Sequence, residues 1–160
     1  MPNYADINGR PMKKLQIQQY LRKLQLNDFE PAVNLATLTK LQYAHLKYIP
    51  YENFDSLNGK ITSLKRQDMF NKVIMHNRGG ICFELNGLYN WLLESLGFEV
   101  TSYAARFIDK METYQLRRHR VMCVALGEKR YLTDVGVNSE SPRVPLEITE
   151  GLILSLIHIS

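Results

Sequence analysis

The sequence contains only two cysteines, Cys82 and Cys123, among its 160 residues. One disulfide between them is possible by number, but nothing else in the sequence suggests export, because the polar start lacks an apolar signal core. A reduced, cytoplasmic protein is therefore predicted. The sequence also lacks any C-x-x-C or H-x-x-x-H pair, which is the local ligand spacing that metal sites use, so we expect no metal.

Long apolar runs and blocks of like charge are absent as well. No stretch approaches the roughly 20 apolar residues that a membrane-spanning helix needs, so no membrane partner is expected. The 20 basic and 16 acidic side chains give a net charge of +4, a mild preference for anionic small molecules. Basic and aromatic residues are not interleaved, and the run Arg117-Arg118-His119-Arg120 is only a local cluster, so we predict no nucleic-acid partner.

The chain has the composition of a folded domain, with 45% hydrophobic and 22% charged residues. In the first 97 residues the apolar positions recur at helical spacing. They predict a helix over 13–26 with Leu15, Tyr20, Leu21 and Leu24 as its apolar positions, a second between Asn34 and Pro50, a third capped by Ser63, and a fourth that begins near Cys82 and stops at Gly97. The segment 51–55 is too short for an element of its own and ends in a turn at 57–59.

The second half changes to a β pattern. We predict strands over 98–107, 119–126 and 130–135, with a polar loop over 109–118. The last two strands form a hairpin around the loop Gly127-Glu128-Lys129, with Leu126 pairing near Arg130. Helices followed by an antiparallel meander indicate an α+β fold. The predicted division is a helical domain over 1–97, a β domain over 98–150 that is incomplete at its C-terminal side, and an atypical apolar tail over 151–160.

Cys82 is the candidate nucleophile. It follows Arg78-Gly79-Gly80, where two glycines permit unusual backbone angles and the close approach of another backbone. It also lies in the first turn of a predicted helix, where unpaired N–H groups and the helix dipole favour thiolate over thiol. The alternative is a small apolar residue that fills a seam between helix and sheet, which is also our interpretation of Cys123.

His119 and Asp134 are the candidate base and orienting carboxylate. His119 begins one predicted strand and Asp134 ends its hairpin partner, so both lie at the same end of the hairpin. A thiol nucleophile needs a base of this kind and a third group to orient it. His119 shares a strand face with Val121, Cys123 and Ala125, and if that face packs on the cysteine helix, the thiol, imidazole and carboxylate come together. The alternatives are a solvated histidine beside arginines and a turn-forming aspartate.

Arg78 and Glu84 flank the nucleophile with opposite charges. The expected role is structural: an ion pair, or a pair bonded to the backbone, that fixes the turn before the helix. Substitution of either residue is expected to distort the surroundings of Cys82 without removing a reacting group.

Two motifs resemble those of the arylamine N-acetyltransferase family. Residues 78–86, Arg-Gly-Gly-Ile-Cys-Phe-Glu-Leu-Asn, are similar to the signature R-G-G-x-C-x-E-x-N, in which Asn86 is the last position, and residues 49–55 resemble a P-F-E-N segment. His119 in His-Arg-Val-Met and Asp134 in Asp-Val-Gly follow in the order of the family's Cys-His-Asp triad. The resemblance extends from about Leu15 to about Ile148.

The resemblance implies a cytoplasmic transferase with a papain-like core. Acetyl-coenzyme A would donate an acetyl group to Cys82, which passes it to the nitrogen of an arylamine, arylhydrazine or N-hydroxyarylamine. His119 would take the thiol proton, and Asp134 would orient the imidazole. Arg78, Gly79, Gly80, Glu84 and Asn86 would shape the structure around the site. The implied partners are these small molecules, and the oligomeric state stays open.

The chain also departs from the family pattern. Tyr51 stands where the family usually has Phe, and Val137-Asn138 where it often has Phe-Gly; Tyr51 and Val137 resemble positions that bind the acceptor. Family members continue into a third domain, so we expect a truncated chain with impaired activity. An inactive fragment that survives by association, and another papain-like cysteine enzyme such as a hydrolase or a transglutaminase-like protein, remain the alternatives.

Overall fold

The computed structural model describes residues 10–106, 116–137 and 141–149. Helices occupy the first part of the chain: α1 Lys14–Lys23, α2 Leu35–Tyr48, α3 Phe54–Leu57, α4 Arg66–Phe70, a π-helical segment Asn71–Met75, and α5 Cys82–Ser95. They are followed by the strands β1 Glu99–Ala105, β2 His119–Leu126, β3 Lys129–Thr133 and β4 Leu146–Glu147. The strands form an antiparallel sheet in the order β1-β2-β3-β4. The α+β class is therefore confirmed.

The predicted ends of α2 are confirmed by its capping geometry. Asn34 is the N-cap, and its side-chain oxygen accepts a hydrogen bond of 2.8 Å from the backbone N–H of Thr37. At the other end Ile49 is extended, with φ −121° and ψ 110°, because the following Pro50 disfavours helical backbone in the residue before it.

Three local predictions in the helical part are wrong. Leu15 of α1 is 63% exposed, whereas the other three predicted positions, Tyr20, Leu21 and Leu24, are buried as expected. The segment 51–55, thought too short for an element, includes the start of the single-turn helix α3. Ser63 does not cap the next helix, which begins three residues later at Arg66; its hydroxyl instead donates to Asp68 Oδ2 at 2.6 Å.

α5 is the central element of the fold. Ten consecutive residues, from Glu84 to Leu93, are buried, so helices and sheet surround α5 on all sides rather than covering one stripe. It contacts α4, β1 and β2. As predicted, it stops at Gly97, which has φ +93°, and the backbone N–H groups of Gly97 and Phe98 return to the carbonyls of Glu94 and Leu93.

The sheet differs from the prediction in the length of its hairpin loop and in its strand number. The β2–β3 loop has two residues rather than three, and Leu126 pairs with Lys129, next to Arg130. β4 was not predicted, because two residues are too short to show a period-two pattern.

The sequence left open which face of β2 packs on α5. Met122 and Val124 join the hydrophobic core that includes the leucines of α5, so the face opposite Cys123 takes this place. The predicted division at residue 97 stays a prediction. The tail 151–160 lies outside the described residues, as do Asn138 and most of the loop 109–118.

Candidate active site

Cys82 is the first residue of α5 and is partly exposed. The helix start is held by Glu84, whose Oε2 accepts a hydrogen bond of 2.9 Å from the backbone N–H of Ile81. The sulfur lies 3.6 Å from the carbonyl oxygen of Arg118, the residue before β2. The helix N-terminus that carries the thiol therefore meets the beginning of the strand that carries His119.

His119 and Asp134 are buried and directly bonded. His119 Nε2 lies 2.6 Å from Asp134 Oδ2. Burial lowers the pKa of His119, but hydrogen bonds and negative charge from Asp134 and Cys82 outweigh it and raise the pKa to about 9. The imidazole thus stands between thiol and carboxylate, the order in which a base activates a sulfur nucleophile.

Asn86 connects the helix to the carboxylate. Its Nδ2 donates to Asp134 Oδ1 at 2.8 Å and also to the carbonyl oxygen of Arg120, while its Oδ1 accepts from the N–H of Val135 at 2.8 Å. Because Asn86 lies one turn after Cys82, these bonds hold the start of β2 and the end of β3 beside the start of α5. This explains how His119 reaches Cys82 although the opposite face of β2 packs on the helix.

Gly79 and Gly80 allow other residues to approach the backbone closely, and they do not adopt unusual backbone angles. Neither has a positive φ; Asn77, just before them, has φ +54°. A Cβ on Gly79 would lie 2.0 Å from the carbonyl oxygen of Pro50, and a Cβ on Gly80 would lie 2.9 Å from Glu84 Oε2. This close packing lets Gly80 bridge to Tyr51 and brings the 50–52 segment against the turn.

Arg78 and Glu84 do not pair with each other. Arg78 Nη2 lies 2.7 Å from Glu52 Oε1, and Glu84 Oε1 lies 2.8 Å from Lys72 Nζ. The expected mutual ion pair is therefore wrong, although the expected backbone bond is present for Glu84. Arg78 and Glu84 are close in sequence but bind partners from other elements, because the turn before α5 lies between the 51–55 segment and the π-helical segment.

Of the two positions expected to bind the acceptor, Tyr51 is influenced electrostatically by Cys82. Burial and the charge of Cys82 raise the pKa of Tyr51, a residue that is 39% exposed. Val137 follows Gly136, and its N–H donates to Ser141 Oγ at 2.9 Å. The binding roles of Tyr51 and Val137 stay predictions.

Gly136 and Lys72 were not recognised from the sequence. A Cβ on Gly136 would lie 2.8 Å from Cys82 Cα and 2.7 Å from Asn86 Nδ2, so the residue must be small. Its place in Asp-Val-Gly was the available signal. No sequence signal indicated Lys72, because a lysine in a helical stretch normally faces solvent.

Two features are absent from the residues that the structure describes. Among residues 10–106, 116–137 and 141–149, no group of three or more His, Cys, Asp or Glu side chains is placed to hold a metal ion. Within the same ranges, no helix combines the length and apolarity needed to cross a membrane.

A family model for N-acetyltransferase matches residues 34–154. The arylamine N-acetyltransferase of Escherichia coli K12 is 34% identical over 128 residues, which cover 79% of this chain and 46% of the relative. The chain belongs to the arylamine N-acetyltransferase family. The family member from Mycolicibacterium smegmatis is 34% identical over 145 residues, covering 87% of this chain and 52% of the relative.

Solved structures of the arylamine N-acetyltransferase family share the fold. The enzyme from Salmonella typhimurium superposes with a TM-score of 0.83 at 28% identity, covering 90% of this chain and 52% of that one. The present chain spans about half the length of the curated relatives that it matches.

Proposed function

We propose that this chain carries the reacting groups of an arylamine N-acetyltransferase. Acetyl-coenzyme A is the proposed donor, and the nitrogen of an arylamine, arylhydrazine or N-hydroxyarylamine is the proposed acceptor. The observation that carries the proposal is the contact of His119 with both Cys82 and Asp134, at the N-terminus of a buried helix. A cysteine at a helix start that meets a histidine and a carboxylate from an antiparallel sheet is the papain-like arrangement.

In the first half-reaction, the Cys82 thiolate attacks the acetyl carbonyl carbon of the donor. The bond from that carbon to the sulfur of coenzyme A breaks, and the leaving thiolate takes the proton held by His119. The product is an acetyl thioester on Cys82. We assign stabilisation of the tetrahedral oxyanion to the backbone at the start of α5, since the positive end of the helix dipole favours negative charge there.

In the second half-reaction, the acceptor nitrogen attacks the thioester carbonyl. His119 takes a proton from that nitrogen, the bond to Cys82 sulfur breaks, and the amide leaves with the thiolate restored. Asp134 keeps the imidazole oriented and stabilises its charged form in both steps. Tyr51, beside the sulfur, is proposed to contact the acceptor ring, with Val137 as a second contact.

The cellular setting is part of the proposal. Cys82 and Cys123 are both free thiols, which fits a reducing cytoplasm. A role in the metabolism of foreign aromatic amines follows from the proposed acceptor class.

Transfer to an arylamine tests the proposal. The protein is incubated with acetyl-coenzyme A and a panel of arylamines and arylhydrazines, and N-acetylated product is quantified by mass spectrometry. We expect product with the native protein, parallel double-reciprocal plots that indicate a ping-pong mechanism, and no product with Cys82→Ser. Hydrolysis of the donor without amide formation, or equal product from Cys82→Ser, would contradict the proposal.

A further inference from the structure

Lys72 joins carboxylates from separate parts of the chain. Its Nζ lies 2.8 Å from Glu84 Oε1 and 2.9 Å from Asp55 Oδ2, and 3.8 Å from Glu52 Oε1. The lysine side chain is 16% exposed and that of Glu84 only 4%. Charges this far removed from water interact more strongly than surface pairs do.

The position of Glu84 gives this contact a consequence for the sulfur. Glu84 stands two residues after Cys82 in the first turn of α5 and binds the backbone N–H of Ile81. Its negative charge supports the helix start, but by Coulomb repulsion it opposes a thiolate nearby. Lys72 supplies the positive charge that offsets it.

We propose that Lys72 is a positioning residue that fixes Glu84 at the start of α5 and offsets its negative charge, so that Glu84 does not oppose the reaction of the Cys82 sulfur as a nucleophile. The inference rests on the proposed role of Cys82 as nucleophile. Hydrogen bonds to Glu84 and Asp55 keep the lysine charged although burial opposes its charge, and the bond from Lys72 lowers the pKa of Asp55.

Charged groups surround this pair from several elements. Lys72 faces Glu52 and Asp55, and Arg78 shares both carboxylates. His119 from β2 contacts the sulfur, with Asp134 behind the histidine, and the charge of Cys82 acts on Tyr51 in the 50–52 segment. The substitutions below leave these other groups in place. Lys72→Met also takes a cation from Asp55 and Glu52, so the opposite effect expected of Glu84→Gln is what ties a change in the thiol's titration to the Lys72–Glu84 pair.

The test is the pH dependence of alkylation of Cys82 by iodoacetamide, followed at the single cysteine by peptide mass spectrometry. Lys72→Met leaves Glu84 without its cation, and we expect the pH of half-maximal rate to rise by about 1 unit. Glu84→Gln keeps an oxygen for the N–H of Ile81 but removes the negative charge, and we expect that pH to fall. If the pair had only a structural role, Lys72→Met and Glu84→Gln would instead both lower the reactivity of Cys82.

Lys72→Arg is expected to return the profile toward that of the native protein, because it restores the charge. Lys129→Met is the matched control: this lysine is 61% exposed, pairs with Glu147 in the sheet, and should leave the profile unchanged. Native profiles for folded Lys72→Met and Glu84→Gln would overturn the inference. If Lys72→Met fails to fold, Glu84→Gln decides alone. The assignment of Cys82 as the nucleophile is tested separately. It would be contradicted if Cys82 of the native protein reacts with iodoacetamide no faster than Cys123.

Discussion

Asn86 and Asp134 are joined by a buried hydrogen bond of 2.8 Å between the amide nitrogen and a carboxylate oxygen. The same oxygen of Asp134 also accepts from the N–H of Gly136 at 2.8 Å, while its other oxygen contacts His119. The carboxylate is therefore fixed from the helix and from its own loop before it meets the imidazole. In this arrangement the asparagine of the signature motif acts as the link between the helix of the thiol and the sheet.

Asn86→Ala is expected to lower both stability and activity. The substitution removes three hydrogen bonds: the donor to Asp134, the donor to the buried carbonyl of Arg120, and the acceptor of the Val135 N–H. Because unpaired buried polar groups cost about 1 to 3 kcal/mol each, we expect the free energy of unfolding in urea to fall by about 3 kcal/mol. Asn58→Ala, at an exposed asparagine, is the control. Equal stability of the two variants would contradict this role of Asn86.

His119 is expected to titrate near pH 9 in the folded protein. Its folded pKa lies above the ordinary 6.5, so its stabilising effect is complete below about pH 6.5 and is lost as the pH rises through about 9. Asp134→Asn removes the charged partner and should lower the pKa of His119. NMR titration of the histidine ring C–H signals, assigned with His119→Gln, measures both values. Midpoints near 6.5 in both proteins would contradict the buried ion pair.

His45 should give stability the opposite pH dependence. It is fully buried, its Nε2 bonds to the Tyr20 hydroxyl at 2.9 Å, and burial lowers its pKa to about 3. The neutral ring therefore stabilises the fold above about pH 6.5, and this effect is lost as the pH falls toward 3. We expect the native free energy of unfolding to drop by about 2 to 3 kcal/mol more than that of His45→Gln between pH 6.5 and 4. The free energies come from urea unfolding at each pH. An equal drop in the two proteins between pH 6.5 and 4 would refute this prediction.

Gly136→Ala should damage the site more than the fold. The added methyl group would lie 2.8 Å from Cys82 Cα, so the backbone of Gly136 or the start of α5 must move. A displacement of about 1 Å in an active site can cost about 100-fold in rate, and we expect a loss of at least tenfold in alkylation of Cys82. Gly127→Asn, where the added Cβ meets nothing within 4 Å, is the control and should react like the native protein. Native reactivity of folded Gly136→Ala would exclude this packing role.

The sequence predicted the elements that carry the triad because their signals are local. The apolar spacing from Leu85 to Leu96 and the stop at Gly97 define α5, and the prediction that β2 spans His119 to Leu126 is confirmed to the residue. Asn34 and Pro50 likewise mark both ends of α2. Capping and periodicity depend only on neighbours within a turn, so they can be inferred without tertiary contacts.

The missed features depend on residues far apart in the sequence. Glu52 lies 26 residues from Arg78 and replaces Glu84 as its partner, which no local pattern indicates. The face of β2 that meets α5 is set by packing on both sides of the sheet, so a nearly continuous apolar strand left it undetermined. Lys72 became part of the site only because the π-helical segment, the 51–55 segment and α5 converge on it.

The most direct test of the account is transfer of an acetyl group from acetyl-coenzyme A to the protein in the absence of an acceptor. Intact-protein and peptide mass spectrometry should find one acetyl group, on Cys82, which disappears when an arylamine is added. Cys123→Ser should still be acetylated, whereas Cys82→Ser should not. An adduct at another residue, or none on a folded protein whose Cys82 alkylates rapidly, would contradict the account.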